Sequence, residues 1–203
     1  MSEPQIASQP DGRTARRDRN RDAVLDAVLE LFAEDSLAPG PADVAERSGV
    51  SLRSVYRYYE DMDALARAAI GRHMVRMGPL FELEGVGTGP LAERIERMVV
   101  TRLRLYEAAA PMARASVVRA RTNPIIGERL AETRVLLRRQ VEDMFEPELA
   151  ALPAPASSEV AASLDLVLEL ESLEHLRRHR ELSGPESHRI LVRAVTALLA
   201  APA

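Results

Sequence analysis

The sequence predicts an all-α protein of roughly nine helices, with a small N-terminal helix-turn-helix domain and a larger helical domain after it. Three observations carry that expectation. Ala, Leu, Arg and Glu, all strong helix formers, dominate the 203 residues. Aromatic residues make up only 3% and Trp is absent, so the β-branched and aromatic runs of a sandwich or barrel are missing. Apolar residues recur at helical spacing in successive segments, and 46% hydrophobic content is enough to bury a core.

The elements follow in order. Residues 1–15 read as a polar, disordered leader carrying Pro4, Pro10 and Gly12. From Arg16 to Glu34 two apolar rows appear, Ala23, Ala27 and Leu31 beside Val24, Val28 and Phe32, and Asp35-Ser36 closes that helix. Pro41 suits the first position of a short helix to Ser48, and Gly49 supplies the left-handed residue that stops it. Ser51 caps a third helix through Tyr59, and Asp61 caps a fourth that runs to Met77. This first domain spans 16–77.

After the glycine-rich connection Glu82–Pro90, the second domain (80–203) is read as helices at 90–108, 111–121, 124–146, 157–180 and 185–200. Asn123-Pro124 is a start signal, and Ser183 with Glu186 forms a capping box.

Composition excludes several chemistries. With no Cys there are no disulfides, thiolate nucleophiles or thiolate metal sites, which is compatible with a cytoplasmic protein. No apolar stretch is long enough to span a membrane, and the N-terminus lacks a signal-peptide core. Lys is also absent, so every basic residue is Arg, a pattern read first as codon bias. The net charge of −4 hides an asymmetry: residues 12–21 hold five arginines against one Asp, and residues 47–58 hold Arg47, Arg53 and Arg57 with no acid. Such asymmetry can focus an anionic partner at one end of a molecule.

The most informative stretch is Ala42 to Tyr59. Two short helices joined by a Gly-containing turn make a helix-turn-helix. Val55 and Tyr59 would hold the second helix against the first. That leaves Ser51, Leu52, Arg53, Ser54, Arg57 and Tyr58 outward, where hydroxyls and guanidinium groups can meet base edges or phosphates. The same spacing also fits a plain helical hairpin inside a bundle.

These residues resemble the tetracycline-repressor (TetR) family of bacterial transcription regulators. The likeness runs from about Asp22 to Ile70. It covers Ala45 to Ser51 (the turn), Tyr56 to Tyr59 (the recognition helix) and Asp61 to Leu65 (the cap of the fourth helix). It implies a homodimer that binds a palindromic double-stranded operator, as a repressor, and is released by a small-molecule effector. It also implies that Tyr56 and Tyr58 lie near the phosphate backbone, Tyr58 more so. Two positions depart from the family pattern: Gly40 stands where a hydroxyl residue usually caps the second helix, and Met62 where Lys usually opens the fourth. Both departures weaken the phosphate grip. Arg16, Arg17 and Arg19, in the basic cluster at 13–21, either compensate by reaching DNA or form a solvated tail.

The resemblance makes the second domain a ligand-sensing and dimerising one. Met98, Arg102, Tyr106 and Met112 are its candidate pocket residues; Arg102 either meets an acidic ligand or packs its stem with its head in water, and the methionines line a cavity or fill the core. So few aromatics suit a flexible apolar or fatty ligand. Helix 157–180 carries too many leucines for one stripe. Leu166, Leu170 and Leu173, with Ile190, Ala194 and Leu198 of the last helix, are therefore assigned to a four-helix dimer seam, the alternative being burial within one copy. Glu171, His175 and His179 recur every four residues, but Arg177, Arg178 and Arg180 oppose a cation, so no metal is expected. No cofactor is implied. The rival classes, a small helical enzyme or a scaffold, lack support: no phosphate loop or catalytic pattern is present.

Overall fold

The computed structural model describes residues 12–34 and 39–200, which divide between His73 and Met74 into two compact units. Every regular element among the described residues is helical. Residues 1–11 of the expected leader, and the expected stop at Asp35-Ser36, lie outside the described residues.

The first unit is built on α1 (Gly12–Ala33), α2 (Pro41–Ser48), α3 (Leu52–Tyr58) and α4 (Met62–Met77), the last running past the boundary. α1 begins four residues earlier than expected, so the leader does not extend to residue 15. Arg, Ala and Thr at 13–17 continue the helix, and the arginine cluster is part of α1 rather than a separate arm. The core is the row Val24, Ala27, Val28 and Phe32 against Val44, Val50, Val55, Tyr59, Leu65 and Ala69. The caps behave as their residues dictate. The Gly40 N–H donates to Asp43 Oδ2 at 2.8 Å, Gly49 takes φ +66, and Asp61 Oδ1 accepts from the Ala64 N–H at 2.6 Å. Two guanidinium groups tie α1 to its neighbours, Arg47 of α2 to Glu30 and to Glu34 just past the end of α1, and Arg72 of α4 to Asp22 and Asp26.

The second unit holds α5 (Leu91–Arg119), α6 (Pro124–Met144), α7 (Glu146–Ala150), α8 (Ala154–Leu168), α9 (Leu170–Glu174), a π turn (His175–His179) and α10 (Gly184–Ala200). Two sequence expectations fail here. The helices expected at 90–108 and 111–121 are one helix of 29 residues with Pro111 inside it. Pro111 has no N–H to give the Glu107 carbonyl, but the buried face continues through Ala109, Ala110 and Ala115, and the small neighbours leave room for the ring.

The helix expected at 157–180 instead breaks at Glu169, which is extended (φ −71, ψ 152) with no Gly or Pro to announce it. In an unbroken helix Leu173 would point about 180° away from Leu164. The break turns α9 so that Leu164, Leu168 and Leu173 all enter one core with Met98, Val99, Phe145, Leu191 and Val195. Ser172 Oγ donates to the Leu166 carbonyl and satisfies part of the end so created.

The start signals hold. Asn123 accepts from the N–H groups of Ile125 and Ile126, and Ser183 and Glu186 exchange capping bonds. Between α4 and α5, Gly85 sits at φ +57, and a side chain there would collide with Arg97 Nη1.

Candidate nucleic-acid interface

α3 is the shortest helix of the first unit. Ser51 starts it, its hydroxyl accepting from the Ser54 N–H at 3.3 Å. Val55 (2% exposed) and Tyr59 (4%) anchor it. The remaining positions face outward: Ser51, Leu52, Arg53, Tyr56 and Arg57 are exposed, and Ser54 and Tyr58 are half-buried. Ser51, Ser54 and Arg57 form a row, with Ser51 Oγ donating to Ser54 Oγ at 3.1 Å and Arg57 Nη2 donating to Ser54 Oγ at 3.4 Å. Among the described residues Arg53 makes no ion pair, so its guanidinium is free for an outside acceptor.

Tyr58 is a junction rather than a free hydroxyl. Its oxygen accepts from Asn20 Nδ2 and from Arg57 Nη2, each at 3.3 Å, and the Arg57 guanidinium also lies over its ring. The Asn20 bond first, then the Arg57 bond, hold the phenol below its ordinary range, and the charge of Arg17 acts the same way. Tyr56 is 52% exposed and points outward more fully than Tyr58. Arg21 lies over the ring of Tyr59, whose hydroxyl donates to the Arg21 carbonyl.

The structure brings Asn20 of α1 against Tyr58 and Arg21 against Tyr59, and leaves Arg16, Arg17 and Arg19 exposed along the same helix. Asn20 was missed in the sequence, and Arg21 was named only as part of the basic cluster at 13–21. The signal was present: Arg17, Asn20 and Arg21 are spaced three and four apart, which places them on one helix face. The first turn of α1 holds no acid, so the arginines stand at the helix end whose dipole favours an anion.

In the second unit the four candidate pocket residues lie mostly within the packing. Met98 is fully buried in the core, and Met112 is half-buried. Tyr106 donates to Glu174 Oε2 at 2.7 Å, and burial together with that carboxylate raises its phenol to about 12. Arg102 is 1% exposed and bonds two neutral acceptors, Gln140 Oε1 at 2.8 Å and the Leu137 carbonyl at 2.7 Å. It neither meets a protein acid nor reaches water. Burial lowers its pKa to about 10, against the opposing charge of Asp165.

A groove of 470 Å³ between α6 and α8, lined by residues including Arg138, Glu142, Leu149 and Asp165, touches none of the four. Of the assigned seam, Leu173 is 0% exposed and belongs to the core of one copy, because the break at Glu169 turns it inward. Leu166 (65%) and Ile190 (42%) are exposed, while Leu170, Ala194 and Leu198 are half-buried. Glu171 pairs with Arg134.

No family model matches the chain. Two Mycobacterium tuberculosis proteins named as uncharacterized HTH-type transcriptional regulators are each 29% identical to it over 111 residues, 54% of this chain and 54% of theirs. The chain therefore spans about half the length of the curated relatives it matches. Among solved structures, a Rhodococcus sp. RHA1 transcriptional regulator is similar over 90% of this chain and 95% of its own, with a TM-score of 0.66 and 19% identity. A Rhodococcus sp. protein assigned to the TetR family is similar over 89% of this chain and 99% of its own, with a TM-score of 0.65 and 21% identity. The fold is that of TetR-type regulators. Those structures share the all-helical architecture, including the helix-turn-helix that presents α3. In this TetR fold no helix among the described residues is long and apolar enough to cross a membrane.

Proposed function

We propose that the chain is a TetR-type transcriptional regulator, a repressor, that binds a palindromic operator as a homodimer through α3. The observation that carries this reading is the outward face of α3. Arg53, Arg57, Ser51 and Ser54 point away from the core, and Asn20 of α1 donates to Tyr58 at its end. The face is basic in a chain whose net charge is −4, so attraction to DNA is local rather than a property of the whole molecule. Arg53 and Arg57 read base edges, while Tyr56, Tyr58 and the α1 arginines take phosphates. Selection of duplexes from a random pool, followed by titration at several salt concentrations, tests the reading. Enrichment of an inverted repeat with salt-sensitive affinity supports it, and recovery of no sequence overturns it.

The homodimer is supported by the apolar side chains of Leu166 and Ile190, which water reaches in a single copy, with Leu170 and Leu198 packed against the core and Ala194 half-buried. A Glu at Ile190 would bury an unpaired charge at such a seam, and sedimentation of Ile190→Glu should show monomer where the unaltered chain shows dimer. An effector in the second unit is supported by the spare hydrogen-bonding capacity of Arg102, whose Nε has no partner. The α6–α8 groove, with two carboxylates against one guanidinium, is a poorer receptor for an acid. A medium-chain fatty acid such as decanoate should raise the melting temperature of the protein and weaken operator binding together, because both report one linked equilibrium.

A further inference from the structure

The least expected polar group in the molecule is Arg102. It is buried and fully charged at neutral pH, and among the described residues no carboxylate lies within ion-pair distance of it. A buried cation without a counter-charge is expensive to keep, so its geometry should be doing something that an apolar residue could not.

The guanidinium has only donors. It can accept nothing from Gln140, so the Gln140 amide must turn its oxygen toward Arg102. That leaves the amide nitrogen on the other side, where Nε2 donates to the Phe81 carbonyl at 2.6 Å. Arg102 and the Phe81 carbonyl thus hold the amide in one orientation from its two sides. The second guanidinium nitrogen holds the Leu137 carbonyl on the same helix as Gln140, which fixes the register of the chain.

Phe81 follows directly on the short 3-10 turn Gly78–Leu80, itself the continuation of α4. Met77, Leu80 and Phe81 rest on a small cluster of Leu105, Ala109 and Leu137, separate from the main core. Among the described residues α4 is the helix that runs past the unit boundary, and Phe81 follows its end by four residues within the second unit.

We propose that Arg102 is a positioning residue, a donor-only clamp that orients Gln140 and, through it, latches the Phe81 carbonyl at the end of the α4 segment. The latch does not depend on the regulator reading above, and it is tested without DNA.

The experiment compares hydrogen–deuterium exchange of residues 80–84 with thermal stability, on the full chain at pH 8, for Gln140→Glu, Gln140→Leu and Arg102→Met. Gln140→Glu keeps an acceptor for Arg102 and adds the missing counter-charge, but it has no donor for Phe81. The expected result is a melting temperature equal to or above that of the unaltered protein, with exchange at 80–84 at least tenfold faster. Gln140→Leu and Arg102→Met should speed exchange at the same residues by a similar factor. A merely structural contact would make exchange follow stability. Unchanged or slower exchange at 80–84 in Gln140→Glu would therefore overturn the latch, and that result stands even if Arg102→Met fails to fold.

Discussion

The two units solve the same problem, packing helices without cysteines or many aromatic residues, by different means. In the first, charged groups stay at the surface and the ends of helices are set by local signals. Arg47 and Arg72 bridge partly exposed carboxylates, and Gly40, Gly49, Ser51 and Asp61 do what those residue types do in isolated peptides. In the second, local rules give way to burial. A proline sits inside a 29-residue helix, a helix breaks with no breaking residue, and two arginines, Arg94 and Arg102, are buried. A surface whose charges are already at the boundary is ready to meet a charged partner.

The largest effect separating the units should come from their arginines. Arg94 is 4% exposed and donates to Gly89 O, Met144 O and the carboxylate of Glu148. Arg94→Met removes all three partners and leaves Glu148 unpaired, so chemical denaturation should show a loss of about 3 kcal/mol. Arg72→Met, whose partners Asp22 and Asp26 are exposed and half-buried, should cost less, about 1 kcal/mol. Equal losses would erase the distinction between the units.

The Arg94 pair also gives the second unit a pH signature. Hydrogen bonding to Arg94 first, then the charge of Arg94, holds the Glu148 carboxyl below its ordinary 4.5. A depressed folded value means that the stabilisation is fully present above pH 4.5 and is lost as pH falls through the folded value. Melting temperature measured between pH 6 and 3 should therefore fall less steeply in Glu148→Gln than in the unaltered chain. An identical acid slope would show that the pair contributes no such linkage.

Smaller effects test the local rules themselves. Pro111→Ala restores an N–H opposite the Glu107 carbonyl, and it should raise stability by about 1–2 kcal/mol after the lost rigidity of proline in the unfolded chain is subtracted. A loss of stability would mean that the ring itself is packed. In the first unit, Ser51→Ala should lower stability by about 1 kcal/mol through the lost cap of α3. No change there would argue that tertiary packing, not the cap, sets the start of α3.

The contrast explains what was legible in the sequence. α2, α3, α4 and the start of α10 are announced by caps and glycines within four residues, and the structure places them at or within a residue or two of the expected limits. The outward face of α3 was legible because Val55 and Tyr59 fix its phase, while the pairing of Asn20 with Tyr58 joins residues 38 apart and needed the fold. Glu169 looks like any helical Glu. Only the need to bring Leu164, Leu168 and Leu173 to one side creates the break, and that need is tertiary. It also moved Leu173 from the expected seam into the core. Arg102 was singled out as a charge that meets an acid or keeps its head in water, whereas its head is buried against neutral acceptors. Its partners, a glutamine amide and a backbone carbonyl about ten helical turns along the chain, carry no sequence mark.

The central claim is that the basic outward face of α3 binds duplex DNA. The measurement that tests it most directly is affinity for a selected operator duplex as a function of salt, for the unaltered chain, Arg53→Ala and Arg57→Ala. The account predicts that affinity falls steeply and linearly in log[salt], that each variant loses roughly 1–3 kcal/mol of binding, and that melting temperatures stay the same. Binding that ignores salt, or unchanged affinity in both variants, would contradict it.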